Sequence, residues 1–548
     1  MAGSAAALLV ESLIAQGASR VFCVPGESYL PVLDALHAAR DRIETIVCRH
    51  EAGAANMAEA TGKLNGRPGI CFVTRGPGAT HASIGVHTAR QDSTPMLLFI
   101  GQVARGDIGR EAFQEIDYGA FFGPITKWAA SVDDPTRIPE LVSRATATAL
   151  AGRRGPVALA LPEDILEEPV EAAPAPRVFG ARAALDPASL AAIAARLAAA
   201  RAPLLLLGGS GWDEAGLAAI ERFARRADLP VVLSFRRKDL LDNTHAHYAG
   251  DLGLGPNPKL VARVKQADLV LCVGARLGEN PTQGYTLFTR DETAAKLIHI
   301  HPGAEELGRV WPPAIAAVAD PNLAADALAH LDIAPHWADW RAAAHAEAIA
   351  WRAPIAVSGA VNLSEVFAHL RAALPDDAIV ANGAGNYAAW LHRFFPHARF
   401  GTQLAPTSGA MGYGFPAGIA AKIAHRDRDV VAVAGDGCFL MSAQEMATAM
   451  RHEAALVTLV IDNASYGTIR MHQERRFPAR VHATDLVNPD FAAFARSFGA
   501  WGETVTRTED FPDALAQARA AGRPALLHIK TDVENISPGR TIADLRGA

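Results

Sequence analysis

Asp436 and Asn463 stand 27 positions apart, each just past an apolar run that reads as a buried strand, Val430 to Ala434 and Leu456 to Ile461. In a parallel sheet, neighbouring strands that each lead into a helix or loop bring their carboxyl ends together, so the two side chains meet there. A carboxylate, an amide oxygen and a nearby backbone carbonyl are hard oxygen donors suited to Mg2+, which otherwise prefers phosphate oxygens and water. Gly435 and Gly437 flank Asp436 and let the backbone approach a diphosphate, and the helix beginning near Phe439 directs free N–H groups at the same anion. A Gly-Asp-Gly turn alone says little, because many turns after strands need glycine. Joined to strand, helix, second strand and asparagine at this separation, it points to a magnesium diphosphate.

This succession resembles the cofactor motif of thiamine diphosphate enzymes. The resemblance implies that Asp436, the Asn463 side chain and the Ser465 carbonyl hold Mg2+, with Gly435, Gly437 and Cys438 against the diphosphate. Asn382-Gly383-Ala384-Gly385-Asn386-Tyr387 would be the second diphosphate loop, where Gly385, Asn386 and Tyr387 touch the cofactor. Acetolactate synthases commonly carry Gln-His at Asn386-Tyr387, and the residues present here can still donate hydrogen bonds. Thr407 to Pro416 resembles the segment that grips the aminopyrimidine, through the backbone of Gly409 and Met411 and the Met411 side chain.

Arg49-His50-Glu51-Ala52-Gly53 follows a strand ending at Cys48 and resembles the segment bearing the family's catalytic glutamate. A carboxyl group bonded to the pyrimidine nitrogen favours the ring's imino form, so Glu51 must be well placed and desolvated. Taken alone, a glutamate at a helix start is more often a surface residue matched to the helix dipole. Gly76 to His81, Gln91 to Pro95, Phe113-Gln114-Glu115 and Pro124 to Lys127 follow in the order and spacing of acetolactate synthases and pyruvate oxidases. The resemblance puts Phe113 and Gln114 beside the substrate, with Gln114 donating to its carbonyl or developing alkoxide. His81 reads as structural, as loop histidines more often are.

Short apolar runs alternate with Ala-rich helical stretches along the chain, the rhythm of parallel sheets covered by helices on both faces. The expected class is α/β, with three doubly wound domains of mainly parallel sheet: a pyrimidine-binding domain at 1–170, a central domain at 185–335 and a diphosphate-binding domain at 355–548. The Pro-rich, acidic stretch Glu167 to Pro176 reads as the first linker. In the central domain, Leu207 to Gly211 and Gly250 to Gly255 are glycine-rich turns after strands. Related enzymes bind FAD between such turns, which makes FAD a candidate.

A chain of 548 residues exceeds what one hydrophobic core serves, in keeping with three domains. Its net charge of −6 with mixed signs offers no basic footprint, so nucleic acid is not an expected partner. No apolar run reaches the ~20 residues that span a bilayer. Five cysteines without metal-type spacing read as core residues in a reducing cytoplasm, and the opening residues lack the basic start of a signal peptide. The expected location is cytoplasmic.

The resemblance implies decarboxylation of a 2-oxo acid such as pyruvate, with the cofactor taking up the electrons left by CO2, then carboligation to a second oxo acid. The glutamate and the cofactor-gripping loops lie on different domains, which in the family meet between two chains. A homodimer or homotetramer is therefore expected. Two departures concern the acceptor: Arg470 to Glu474 lacks the tryptophan of branched-chain acetolactate synthases, and Asn280 replaces their second arginine. Glu51 argues against glyoxylate carboligase, which lacks this acid. A simple decarboxylase, an oxidase or a C–C lyase of the superfamily would keep every motif. The alternative of another class is a catalytically silent, cofactor-binding regulatory partner, against which Glu51, Asp436 and Asn463 weigh.

Overall fold

Leu269–Val273, Val430–Gly435 and Val457–Asp462 are buried at every position, as strands covered by helices on both faces must be. The computed structural model describes residues 3–547 and assembles such runs into three six-stranded sheets whose pairings are all parallel. Strands between Arg20 and Pro162 form the N-terminal sheet, those between Pro203 and Val318 the central sheet, and those between Ile379 and Lys530 the C-terminal sheet. Gly3–Ser4 and Pro169–Val170 make a separate antiparallel pair. The fold is α/β with three doubly wound domains. Residues 1, 2 and 548, inside the expected domain limits, lie outside the described residues.

The strands that no apolar run announces stand mostly at sheet edges. They include Trp128–Ser131, Tyr248–Asp251, Ile315–Val318, Gln403–Leu404 and Trp501–Val505. An edge strand is paired on one side and partly open to solvent, so it needs no continuous apolar sequence. Trp128–Ser131, for instance, has no fully buried position.

The helix Glu51–Asn65 is enclosed almost all round, with Gly53 to Gly62 buried without interruption. Its glycines and alanines let Pro77–Asp92 of the same domain and Gly414–Ala424 of the C-terminal domain pack close against it. The N- and C-terminal sheets consequently share one hydrophobic core, while the central domain keeps its own. Polar groups reinforce the joint. Glu59, 0 % exposed, accepts from Thr94 Oγ1 at 2.6 Å and from Tyr413 Oη of the C-terminal domain. Burial raises the Glu59 carboxyl above its usual range, although Lys63 opposes this. Asp92 accepts from Lys63 Nζ and, across the boundary, from the Thr407 backbone N–H at 2.6 Å. None of the helices among the described residues is long and apolar enough to cross a membrane.

Asp92→Ala leaves the Thr407 N–H and Oγ1 without their acceptor and Lys63 with only Glu59 at 3.4 Å and the Ala405 carbonyl, so we expect a loss of about 2 kcal/mol, read as a lower denaturant midpoint. Asp92→Asn, which keeps an acceptor for Thr407, should lose less.

Candidate active site

Strand order in the C-terminal sheet reverses between Ile379–Asn382 and Val430–Gly435, and ligands of open α/β sheets bind at the carboxyl ends beside such a reversal. A cavity of about 340 Å3 lies there. Gly385, Asn386 and Tyr387 line it together with Gly435, Asp436, Gly437 and Cys438, the two loops meeting where Tyr387 Oη stands 3.3 Å from Cys438 Sγ. Gly409 and Met411 arrive from the loop before Gly414–Ala424, and Asn463 and Ser465 from the turn after Val457–Asp462. One cavity thus holds every cofactor and metal residue expected from the sequence.

Gly435 pairs opposite Ile461, which sets Asp436 and Asn463 at the same end of adjacent strands. Asp436 is buried, accepts from Gly437 N–H at 2.9 Å and Asn488 Nδ2 at 2.8 Å, and has another carboxylate, Asp462, as its charged neighbour. Burial pushes its pKa up to about 6. Asp462 is in the opposite condition: burial pushes it up too, but His528 Nε2 at 2.8 Å and Lys530 Nζ at 2.7 Å outweigh that and hold it below the carboxylate range. Asp462 then shapes the turn, accepting from Ala464 N–H at 2.9 Å, while Asn463 Oδ1 accepts from Ser465 N–H at 3.1 Å. A buried carboxylate without a counter-cation, beside an amide oxygen, is a donor set that fits Mg2+. Asn488, which no motif marks, bridges both carboxylates at 2.8 Å and keeps a buried Oδ1 without a partner.

The side chains of Asn386 and Tyr387 depart from expectation. Asn386 donates to the Ile536 carbonyl at 2.7 Å and accepts from Thr468 Oγ1 at 2.9 Å; Tyr387 Oη donates to Cys438 Sγ at 3.3 Å. These contacts tie three loops together, so what the pair offers an anion is the first-turn backbone of the helix Asn386–Phe394.

Glu51, Phe113 and Gln114 do not line this cavity. They gather on the N-terminal domain around the loop Gly76 to Gly78. A Cβ on Gly78 would stand 3.3 Å from Glu51 Oε1, and one on Gly76 would stand 2.7 Å from the Gln114 carbonyl oxygen. Gln114 holds φ at 67°, a strained value for a non-glycine residue, and Phe113 is 75 % exposed. His81, read from the sequence as structural, places Nδ1 2.9 Å from Glu51 Oε2 and stacks on His50 with ring centres 4.5 Å apart. Its spacing gave no sign of this: His81 lies not on a loop but in the first turns of the helix Pro77–Asp92, and the contact joins that helix to the start of Glu51–Asn65 through the fold.

Glu445 also went unmarked. Fully buried in the C-terminal domain, it accepts from the backbone N–H groups of Arg49 at 3.2 Å and His50 at 3.0 Å, immediately before Glu51. Thr448 Oγ1 donates to its second oxygen at 2.6 Å. Gly53 makes room, since a Cβ there would fall 2.4 Å from Glu445 Oε1. Burial raises the carboxyl above its usual range.

The glycine-rich turns of the central domain have a packing explanation. A Cβ on Gly209 would lie 1.9 Å from the Gly274 carbonyl oxygen, and one on Gly208 would lie 2.5 Å from Ser234 Cβ. The neighbouring cations Arg153 and Arg276 are matched by Glu306, at 2.8 and 3.2 Å. Close packing thus explains Gly208 and Gly209 of the first turn, whereas a Cβ on Gly255 of the second would meet nothing within 4 Å, and FAD is left unsupported.

Three family models match the chain in succession: thiamine pyrophosphate enzyme, N-terminal TPP binding domain, at 3–121; its central domain at 190–328; and its C-terminal TPP binding domain at 383–529. The acetolactate synthase large subunit of Parasynechococcus marenigrum (strain WH8102) is 33 % identical over 568 residues, covering 99 % of this chain and 91 % of the relative. The acetolactate synthase isozyme 2 large subunit of Escherichia coli (strain K12) is 30 % identical, covering 97 % and 96 %. A Bacillus subtilis (strain 168) relative, named a putative thiamine pyrophosphate-containing protein, is 28 % identical, covering 97 % and 92 %.

Glu445→Ala leaves the Arg49 and His50 N–H groups unpaired and frees the start of the glutamate helix. Turnover should fall about tenfold or more with the circular dichroism spectrum unchanged, and Glu445→Gln, retaining an acceptor oxygen, should fall less.

Proposed function

The chain belongs to the thiamine pyrophosphate enzymes, and on that premise we propose that it decarboxylates a pyruvate-like 2-oxo acid and joins the remaining fragment to a second oxo acid, as an acetolactate synthase-like transferase. The single cavity that gathers the diphosphate loops, the Met411 segment and the Asp436–Asn463 pair carries the reading. Asp436, the Asn463 amide oxygen and the Ser465 carbonyl would hold Mg2+ against the diphosphate. Bound thiamine diphosphate supplies the electron sink for CO2 loss.

The N-terminal domain supplies the acid chemistry. Glu51 holds a proton at the pyrimidine nitrogen, and His81 fixes the orientation of its carboxyl group. The Gln114 amide donates to the substrate oxygen where charge develops, and the exposed Phe113 ring covers the reacting atoms from water. Because Glu51, Phe113 and Gln114 stand apart from the cavity of their own chain, a second copy completes the site, and the assembly is a homodimer or homotetramer with sites between chains. The reading uses no flavin.

The acceptor pocket differs from that of branched-chain synthases. In the stretch Arg470 to Glu474, which lacks the tryptophan, Arg470 pairs with the buried Glu474 at 3.0 Å, and Asn280 lines a separate cavity to which all three domains contribute.

With thiamine diphosphate, Mg2+ and pyruvate, the purified protein should consume pyruvate and form acetolactate, and Glu51→Gln should lower the rate about a hundredfold or more. Removal of Mg2+ by a chelator should abolish cofactor retention. Pyruvate left untouched by cofactor-loaded protein would exclude it as the donor. Light scattering after size exclusion should show a dimer or tetramer; full activity in a monomer would count against the shared site.

A further inference from the structure

Arg236 is a buried cation that the chemistry above leaves unused. It follows the central strand Val231–Leu233, is 3 % exposed and lines the cofactor cavity together with Tyr387 and Cys438. A guanidinium carries five N–H donors. Here one hydrogen bond, from Nη1, reaches the Pro406 carbonyl, and Nε is buried without a partner. Its apolar neighbour is the Phe235 ring, 4.8 Å away. Of the carboxylates nearby, Asp92 is already engaged by Lys63 and Thr407. The backbone adds a second observation: Arg236 sits at φ 58°, in the left-handed region that non-glycine residues avoid unless their surroundings impose it. A buried, unmatched cation held in a strained conformation against a ligand cavity fits an anion that arrives with the ligand.

We propose that Arg236 anchors the diphosphate of the cofactor, and that it would donate from the central domain to the same anion that the two C-terminal loops would hold. This rests on the thiamine diphosphate reading. The neighbours of Arg236 favour the diphosphate over a substrate carboxylate, since Tyr387 and Cys438 belong one to each diphosphate loop. Charge balance agrees: Mg2+ shared with Asp436 does not offset a whole diphosphate, and one further buried cation reduces the excess. The central domain, otherwise remote from the chemistry, thereby takes part in cofactor selection.

Calorimetric titration of the full-length protein in Mg2+ with thiamine diphosphate, thiamine monophosphate and thiamine separates phosphate recognition from ring recognition. Arg236→Met should weaken thiamine diphosphate binding about tenfold or more and leave thiamine binding unchanged, while Arg236→Lys keeps most of the affinity. Melting curves check folding; if Arg236→Met does not fold, Arg236→Lys and Arg236→Gln, charged and neutral donors, carry the same comparison. Affinity for thiamine diphosphate within about twofold of the unmodified protein in the neutral variant overturns the proposal, as does an equal loss for thiamine. Unchanged cofactor affinity with a raised KM for the oxo acid also overturns it, in favour of a substrate carboxylate. An unmodified protein that binds none of the three ligands removes the cofactor reading itself, and the proposal with it.

Discussion

Glu445 has no exposed surface and spends one carboxylate oxygen on the backbone of another domain, at the two residues that precede Glu51. Much of the architecture can be read outward from that contact. To let a carboxylate in, the helix Glu51–Asn65 must carry glycine at Gly53, and to lie between two domains it must stay small along Gly53 to Gly62. Its middle meets the C-terminal domain again through Glu59 and Tyr413. One helix is thus gripped at its start and its middle by the domain that bears the diphosphate loops of its own chain, while its Glu51 lies outside the cavity those loops form.

The site separates adjacent acids by environment. Asp436 and Asp462 share Asn488 as a donor, yet burial pushes the first toward the neutral form while His528 and Lys530 hold the second ionised. The carboxylate with a cationic partner shapes the turn, and the one without a partner is the one suited to a metal. Glu445 and Glu59, likewise raised by burial, are satisfied by hydrogen bonds and act as joints between domains.

The sequence made legible what depends on local pattern. Strands covered on both faces, such as Val457–Asp462, need unbroken apolar runs; a strand such as Trp128–Ser131, open along one side, does not and left no trace. The cofactor loops were legible because strand, glycine turn and helix follow one another closely in the chain. Asn488, Glu445, His81 and Arg236 were not, because each acts through a single side chain that no strand, glycine turn and helix succession singles out. The Asn386 amide and the glycines Gly208 and Gly209 were legible as recognisable types in recognisable places, and the protein's own packing also uses them, which no local pattern announces.

The shared core of the outer domains has a consequence for biosynthesis. One face of the helix Glu51–Asn65 is covered by Gly414–Ala424, which follows it by more than 300 residues in the chain. At ribosomal speeds that interval lasts roughly 20 to 70 seconds, during which the first domain can form its sheet but must hold an apolar face open. The central domain, with its own core, can close in the meantime. The emerging chain therefore presents a completed middle unit beside an unfinished first one, a natural substrate for chaperones that shield apolar surface until the last third arrives.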